Sequence, residues 1–260
     1  MQLIKKAGFK RKELNLTGKN PVLLKKSFNE DVEVGFEPID HTYFFHDQKL
    51  DSATGLTSKF YDKFDLELVA KSCSKYWEKD PQDIVDLWDS NKKVSSLFGT
   101  AIHNAIEHYE IYEKIGAEIS AKREVDENYA LPNHPLLKQI ILDFIKINPI
   151  KGEVVTEALI TWIKGGICGH ADRIVIIDKE KKICRVGDYK INVEAEKKDK
   201  NMKPKAPFQD LPNTKISKYQ LQLSIYSNML EYSGWTVEGL DAYVYEDGWK
   251  YYELPVLKVI

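Results

Sequence analysis

Apolar residues in the middle of the chain recur with two different periods. Over residues 94–114, Leu97, Ala101, Ala105 and Tyr109 repeat every fourth position with Ile102 and Ile106 beside them. That is the spacing of a helix with one buried face. Residues 135–147 repeat the pattern through Leu136, Ile140, Ile141 and Phe144, and residues 214–232 through Ile216, Leu223, Tyr226, Met229 and Leu230, with Gly234 as a stop. Shorter helices are expected over 58–77 and 81–88. Between these segments the apolar runs shorten. Residues 154–163, 167–177 and 183–191 read as three strands joined by a turn at Gly165-Gly166 and a polar turn at 178–182.

Around this centre, short strands are expected at 32–36 and 42–46, the second opening a hairpin that turns at Asp47-Gln48. The C-terminal residues 235–260 alternate Tyr, Val and Leu with polar residues about Glu246-Asp247-Gly248 and read as a closing hairpin. Residues 192–213 have no apolar period and form a long loop, a length more usual in functional segments than in plain connections. Helices interleaved with strands imply an α/β or α+β fold, a central mixed β-sheet flanked by helices. The expected organisation is a basic lead-in over residues 1–40 and a single domain over 41–260, with a core at 94–233.

Composition narrows the setting more than the function. At 260 residues, with 43% hydrophobic and 30% charged, the chain has an ordinary globular composition. It contains no apolar run of the ~18 residues that would span a membrane, and its first residues lack the pattern of a secretory signal. Three cysteines provide neither a disulfide framework nor a four-thiolate cluster. A reducing cytoplasm is therefore the expected location. The net charge of −2 makes no general case for nucleic-acid binding, but its distribution is uneven. Residues 1–26 carry eight Lys/Arg against one acid, and residues 190–218 carry eight lysines against four acids. Such local stretches attract phosphates.

The candidate chemistry lies on the three central strands. Glu157, Asp172 and Asp188 fall on consecutive strands, and Lys190 follows Asp188 by two residues, which strand alternation puts on the same face. Apolar residues surround Asp172 and Asp188, and enclosed acids need partners. Carboxylates that converge can hold a hard divalent cation such as Mg2+, and a lysine beside them can neutralise a phosphate or orient water. Taken singly, each of these acids could be an ordinary strand-edge residue.

Read together, the elements resemble the PD-(D/E)XK nuclease superfamily, in particular its RecB-type exonuclease-like branch. Five elements carry the resemblance in order over residues 99–226: Gly99 to His103 on a helix, Glu157 on the first core strand, Gly169-His170-Ala171-Asp172, Asp188-Tyr189-Lys190, and Gln222 four residues before Tyr226. The hairpin at 41–55 is similar, less specifically, to a segment of phage-type and mitochondrial genome-maintenance exonucleases. The resemblance implies a restriction-endonuclease-like core and a Mg2+- or Mn2+-dependent DNA nuclease. It acts on linear ends or single strands in recombination, repair or replication, within bacterial or phage-infected cytoplasm. It makes His103, Asp172, Asp188 and the Tyr189 carbonyl metal ligands, Lys190 catalytic and Glu157 an aid to the metal or its water. Gln222 and Tyr226 brace the site or contact DNA. Gly99, Glu107 and Lys218 are supporting candidates, Glu107 because it lies one turn from His103 and Gly99 because a helical glycine suggests close backbone approach. Some relatives carry a four-cysteine iron–sulfur cluster, which three cysteines cannot build, so none is expected. The rival reading keeps the fold as an inactive DNA-end or protein-binding module; the intact Asp172, Asp188 and Lys190 set argues against it. A metal hydrolase acting on a non-nucleic substrate is a third, weaker reading.

Overall fold

The structure is a computed structural model that describes residues 23–37, 41–112, 135–148, 152–191, 194–199 and 202–260. Most of the basic lead-in lies outside these residues. Its last part does not: Leu23–Lys26 (β1) and Glu33–Glu37 (β2) form an antiparallel pair within the main sheet. Thr42–Phe45 (β3) and Gln48–Ser52 (β4) continue it as the expected hairpin.

The fold is α+β, with a mixed sheet of nine strands and five flanking helices among the described residues. Glu153–Trp162 (β5), Ile167–Asp178 (β6) and Ile183–Ile191 (β7) are antiparallel neighbours. Thr236–Tyr245 (β8) lies parallel to β7, and Trp249–Leu254 (β9) closes the edge. The N-terminal four strands join through β4, which pairs in parallel with only Ile167 and Cys168 of β6. β7 pairs with the same strand only from Arg173 onward. Residues 169–172 of β6 fall between these two pairings.

The helices differ from their expected bounds for local reasons. The segment expected to be one helix over 58–77 is two, Ala53–Lys59 (α1) and Leu66–Trp77 (α2). Asp65 starts the second by accepting a hydrogen bond from the Leu68 amide at 2.9 Å. In contrast, 81–88 and 94–114 are not separate helices: Pro81–Tyr112 (α3) is continuous, since no glycine or proline interrupts the polar residues 89–93. Its second half is the buried half, through Ala101, Ile102, Ala105 and Ile106. Leu97, expected in the core, is 73% exposed.

Pro135–Ile147 (α4) buries Leu137, Ile140, Ile141 and Phe144, with Leu136 turned outward. It packs with α3 against Tyr189 and Tyr243 on one side of the sheet. Lys215–Tyr232 (α5) covers the other side and is enclosed almost all round. The C-terminal tail accounts for its buried polar residues. Ser224 and Asn228 accept hydrogen bonds from the amides of Leu257 (3.0 Å) and Val259 (2.7 Å), and Gln220 donates to the Pro255 carbonyl (2.9 Å). The closing hairpin therefore stops at Leu254 rather than running to 260, because the last residues satisfy α5 instead.

Candidate metal centre

Three carboxylates stand in a row across three neighbouring strands. Thr156 pairs with Arg173 and Ala158 with Ala171, which sets Glu157 opposite Asp172. Arg173 pairs with Gly187, so the next position along brings Asp188 beside Asp172. Regular pairing fails at this row. Glu157 has a φ of 49°, a left-handed conformation costing a non-glycine residue roughly 1 kcal/mol or more. Ala171 and Ile174 are three residues apart yet line one apolar cluster, as do Val155 and Ala158. Strict alternation would put the members of each pair on opposite faces, so both strands change phase at the acids. Such irregularities re-aim side chains.

α3 supplies the fourth member. His103 Nδ1 lies 3.5 Å from Asp172 Oδ2, and the imidazole hydrogen-bonds to the Tyr189 backbone. Ligand atoms of His103, Glu157 and Asp172 all fall within 4.8 Å of one another, a span that a cation bonded at about 2.1–2.5 Å can bridge. The three converging groups thus include Glu157, expected only to assist. Asp188 stands one place further on, beside Asp172 and in contact with the Lys190 ammonium. Asp172 also accepts a hydrogen bond from the Tyr189 amide at 2.9 Å. The Tyr189 backbone therefore borders the group.

The electrostatics describe a cluster with too much negative charge. Burial, then repulsion from Asp172, pushes the Asp188 carboxyl up to about 7 despite Lys190. Glu157 keeps accessible surface but is packed around closely; this desolvation, followed by the charges of Asp172 and Glu107, pushes it up to about 8. Burial opposes the Lys190 charge, but Asp188 and Asp172 outweigh it and hold the ammonium above the usual lysine range. Desolvation lowers His103, which leaves a neutral imidazole with a lone pair to donate at neutral pH. Two or three carboxylates, a neutral imidazole and an adjoining backbone carbonyl form a donor set suited to a hard divalent cation.

The remaining candidates divide. Tyr226 is buried beside the site, and Gln222 Nε2 donates to its hydroxyl at 3.4 Å. Gly169 makes room for it: a Cβ there would stand 2.8 Å from Tyr226 Cε1 and 3.2 Å from Ala53 Cβ. Gln220 leaves the site for the C-terminal tail, as its angular separation from Gln222 implies. Lys218 lies over the Tyr61 ring at 5.6 Å. The charge of Glu107 bears on Glu157 and Lys25. Among the described residues Gly99 does not serve close backbone approach, for a Cβ would meet only Ile191 Cβ at 4.0 Å. In the long loop, Lys197 pairs with Glu194 and Lys205 with Asp62, so both lysines already have carboxylate partners.

Sequence reasoning missed Glu110. Buried on α3, it accepts from Arg173 Nε at 2.7 Å and from the Tyr189 hydroxyl at 2.9 Å. Arg173 in turn donates to Tyr243, and Tyr243 to Asn148, each at 3.2 Å. Arg173 and Tyr189 directly follow Asp172 and Asp188, so this clamp fixes α3 to the strands that bear the acids. Its signal was the seven-residue spacing from His103, which puts both on one helix face. Tyr219, whose ring centroid lies 5.2 Å from Lys190 Nζ, was also missed.

No protein-family model matches the chain, and no curated protein matches it. Among solved structures, the chain is similar to the crystal structure of SSO0001 at 15% identity over 63% of this chain and 68% of that one, with a TM-score of 0.25. A likeness at that level carries no argument about fold or function. Among the described residues no helix is long and apolar enough to cross a membrane.

Proposed function

We propose that the protein is a divalent-metal-dependent nuclease that hydrolyses DNA phosphodiester bonds, working as an exonuclease on linear ends or single strands during recombination, repair or replication. The observation that carries this reading is the row of Glu157, Asp172 and Asp188 across adjacent strands, completed by His103 and flanked by Lys190. The motif order of the PD-(D/E)XK nucleases, RecB-type branch, supports it, and with it a restriction-endonuclease-like core. His103, Glu157 and Asp172 would hold Mg2+ or Mn2+, with Asp188 and the Tyr189 carbonyl adjoining. A cation bound there would acidify a water molecule and offset phosphate charge.

The chain's own groups supply the rest. Lys190, held protonated by Asp188, presents an ammonium to the negative charge that develops on the phosphoryl oxygens. Glu157, opposite Asp172 on the neighbouring strand, is placed to aid the metal or its water. Tyr226 and Gln222 brace the acids from α5. The three cysteines are free, in keeping with a reducing cytoplasm of bacterial or phage-infected cells.

The test is degradation of end-labelled linear DNA in Mg2+ or Mn2+, beside a covalently closed circle and a Lys190→Ala variant. Linear DNA should be consumed, and the circle and the variant reaction should stay intact. Absence of degradation of any DNA, or full activity in the variant, overturns the reading.

A further inference from the structure

Lys25 lies one strand repeat from the acid row and outside the motif residues, and the chain that follows it is fixed at several points. Phe28 donates its amide to the Leu159 carbonyl of β5 at 2.7 Å. Asn29 donates to the Thr161 carbonyl at 2.8 Å and accepts from the Thr161 amide at 2.9 Å. Glu30 accepts from the Thr161 hydroxyl at 2.6 Å and the Ile163 amide at 3.1 Å. The end of β1 is therefore sewn to the strand that carries Glu157.

The side chain is held as firmly. Lys25 Nζ lies 4.6 Å from the centroid of the Phe36 ring and 3.0 Å from His170 Nε2. An ammonium only donates, so Nε2 accepts and the imidazole proton sits on Nδ1, where the Tyr43 hydroxyl oxygen receives it at 2.7 Å. Among the described residues the imidazole is the one hydrogen-bond partner of the ammonium, which leaves two N–H groups to give. His170 precedes Asp172 by two residues on β6 and pairs with Leu159, two residues beyond Glu157 on β5. One strand repeat, about 7 Å of backbone, separates it from the acid pair. Burial lowers the proton affinity of Lys25, and the carboxylates whose charge opposes this are Glu157 and Glu107. Once a cation compensates the acids, a fixed positive charge with unspent donors remains beside them, which fits a phosphate oxygen.

We propose that Lys25 is a second phosphate-holding residue, donating to a non-bridging oxygen of the backbone phosphate next to the one that Lys190 faces, with His170 and Tyr43 positioning it. The proposal rests on the nuclease reading. It assigns the strand β1, and not the motif-bearing core alone, a share of substrate binding.

The experiment compares wild type, Lys25→Gln and Lys25→Arg. Fluorescence anisotropy of a labelled single-stranded oligonucleotide is followed against salt in EDTA, steady-state cleavage is measured in Mg2+, and Tm serves as a check on folding. Lys25→Gln should raise Kd and KM about tenfold with kcat within about threefold, and should lessen the salt slope by about 0.7, the increment of one single-strand phosphate contact. Lys25→Arg should restore KM to within about threefold of wild type. A Lys25→Gln protein with the wild-type KM and slope overturns the inference alone, as does a loss confined to kcat. A wild type that neither binds nor cleaves nucleic acid overturns the nuclease reading and this inference with it.

Discussion

Strand β7 passes through two acidic clusters within four residues, and they are built on opposite terms. At Arg185 the buried charges balance, guanidinium against Asp241, with the largely exposed Glu253 beside them. The guanidinium donates to Asp241 through Nε at 3.0 Å and Nη2 at 2.7 Å, and to Glu253 at 2.7 Å, while Tyr251 gives its hydroxyl to Asp241 at 2.8 Å. Asp241 is fully buried and fully partnered. At Asp188 one lysine faces three carboxylates, and two of those are driven up to about 7 and about 8. A fold that needed an ion pair only to join strands had the Arg185 solution to hand. The surplus of carboxylate charge at Asp188 is the feature on which the proposed metal site rests.

The largest effect that separates the two clusters is on activity. Lys190→Ala and Asp188→Asn should each lower DNA cleavage by about three orders of magnitude; Lys190→Ala also strips the acids of their ammonium and lowers Tm in the metal-free protein, whereas Asp188→Asn holds or raises it because repulsion is relieved. Arg185→Ala should do the reverse. Removing one member of a buried pair costs about 3–5 kcal/mol, or on the order of 10 °C in Tm for a chain of this size, with the activity of the folded fraction within a few-fold. A melting curve and an end-label assay on the three variants decide it. Equal Tm losses in Asp188→Asn and Arg185→Ala would erase the distinction.

Metal should close the gap between the clusters, and pH should open it. The folded-state affinities of Asp188 and Glu157 for protons are raised above their ordinary 3.8 and 4.5. Their contribution to stability is therefore complete below about pH 4 and is lost as pH rises through about 7 and about 8. The metal-free protein should lose Tm across that window. Saturating Mg2+ or Mn2+ should restore it by about 5–10 °C at pH 8, the return on ligand at ~100 times its Kd, and by much less at pH 5. Differential scanning fluorimetry with EDTA and with metal at several pH values measures both. An equal metal shift at pH 5 and pH 8 would mean that the cation does not displace protons from these acids.

The two clusters were not equally legible in the sequence. Glu157, Asp172, Asp188 and Lys190 could be read because their short spacings fall on strands whose apolar runs are plain, and His103 because the periodic helix before them carries it. What could not be read is which acids converge. That depends on the change of phase at Glu157 and Asp172, a bend in two paired strands that no linear pattern records. Lys25 and Glu110 were hidden for another reason. Their partners lie 145 and 63 residues away, and only the sheet order brings β1 and α3 to the same place. The fold class followed from the alternation of periods. The merged helix 81–112 and the tail on α5 did not, since a polar run without a breaker and a strand-like tail each have a second solution that tertiary contacts select.

The smallest contrast sets two glycines against each other, one beside each cluster. A Cβ at Gly239 would lie 2.6 Å from the Arg185 guanidinium, a group pinned by its bonds to Asp241 and Glu253 and unable to yield. Gly239→Ala should therefore cost about 1–3 kcal/mol, the usual range for overpacking, seen as a Tm loss of several degrees. At Gly99, beside the site, a Cβ meets only Ile191 at 4.0 Å among the described residues, and alanine in a helix is favoured over glycine by about 1 kcal/mol. Gly99→Ala should raise Tm by about 2–4 °C. If the glycine nonetheless has a use, it is to leave the surface of α3 bare where, on the proposed function, a DNA strand would pass His103 and Lys190. The same variant would then show a raised KM while it melts later. A higher Tm with unchanged KM assigns Gly99 no role in the site; a higher Tm with a raised KM makes it the point where stability is given up for substrate room, which the balanced cluster around Arg185 never requires.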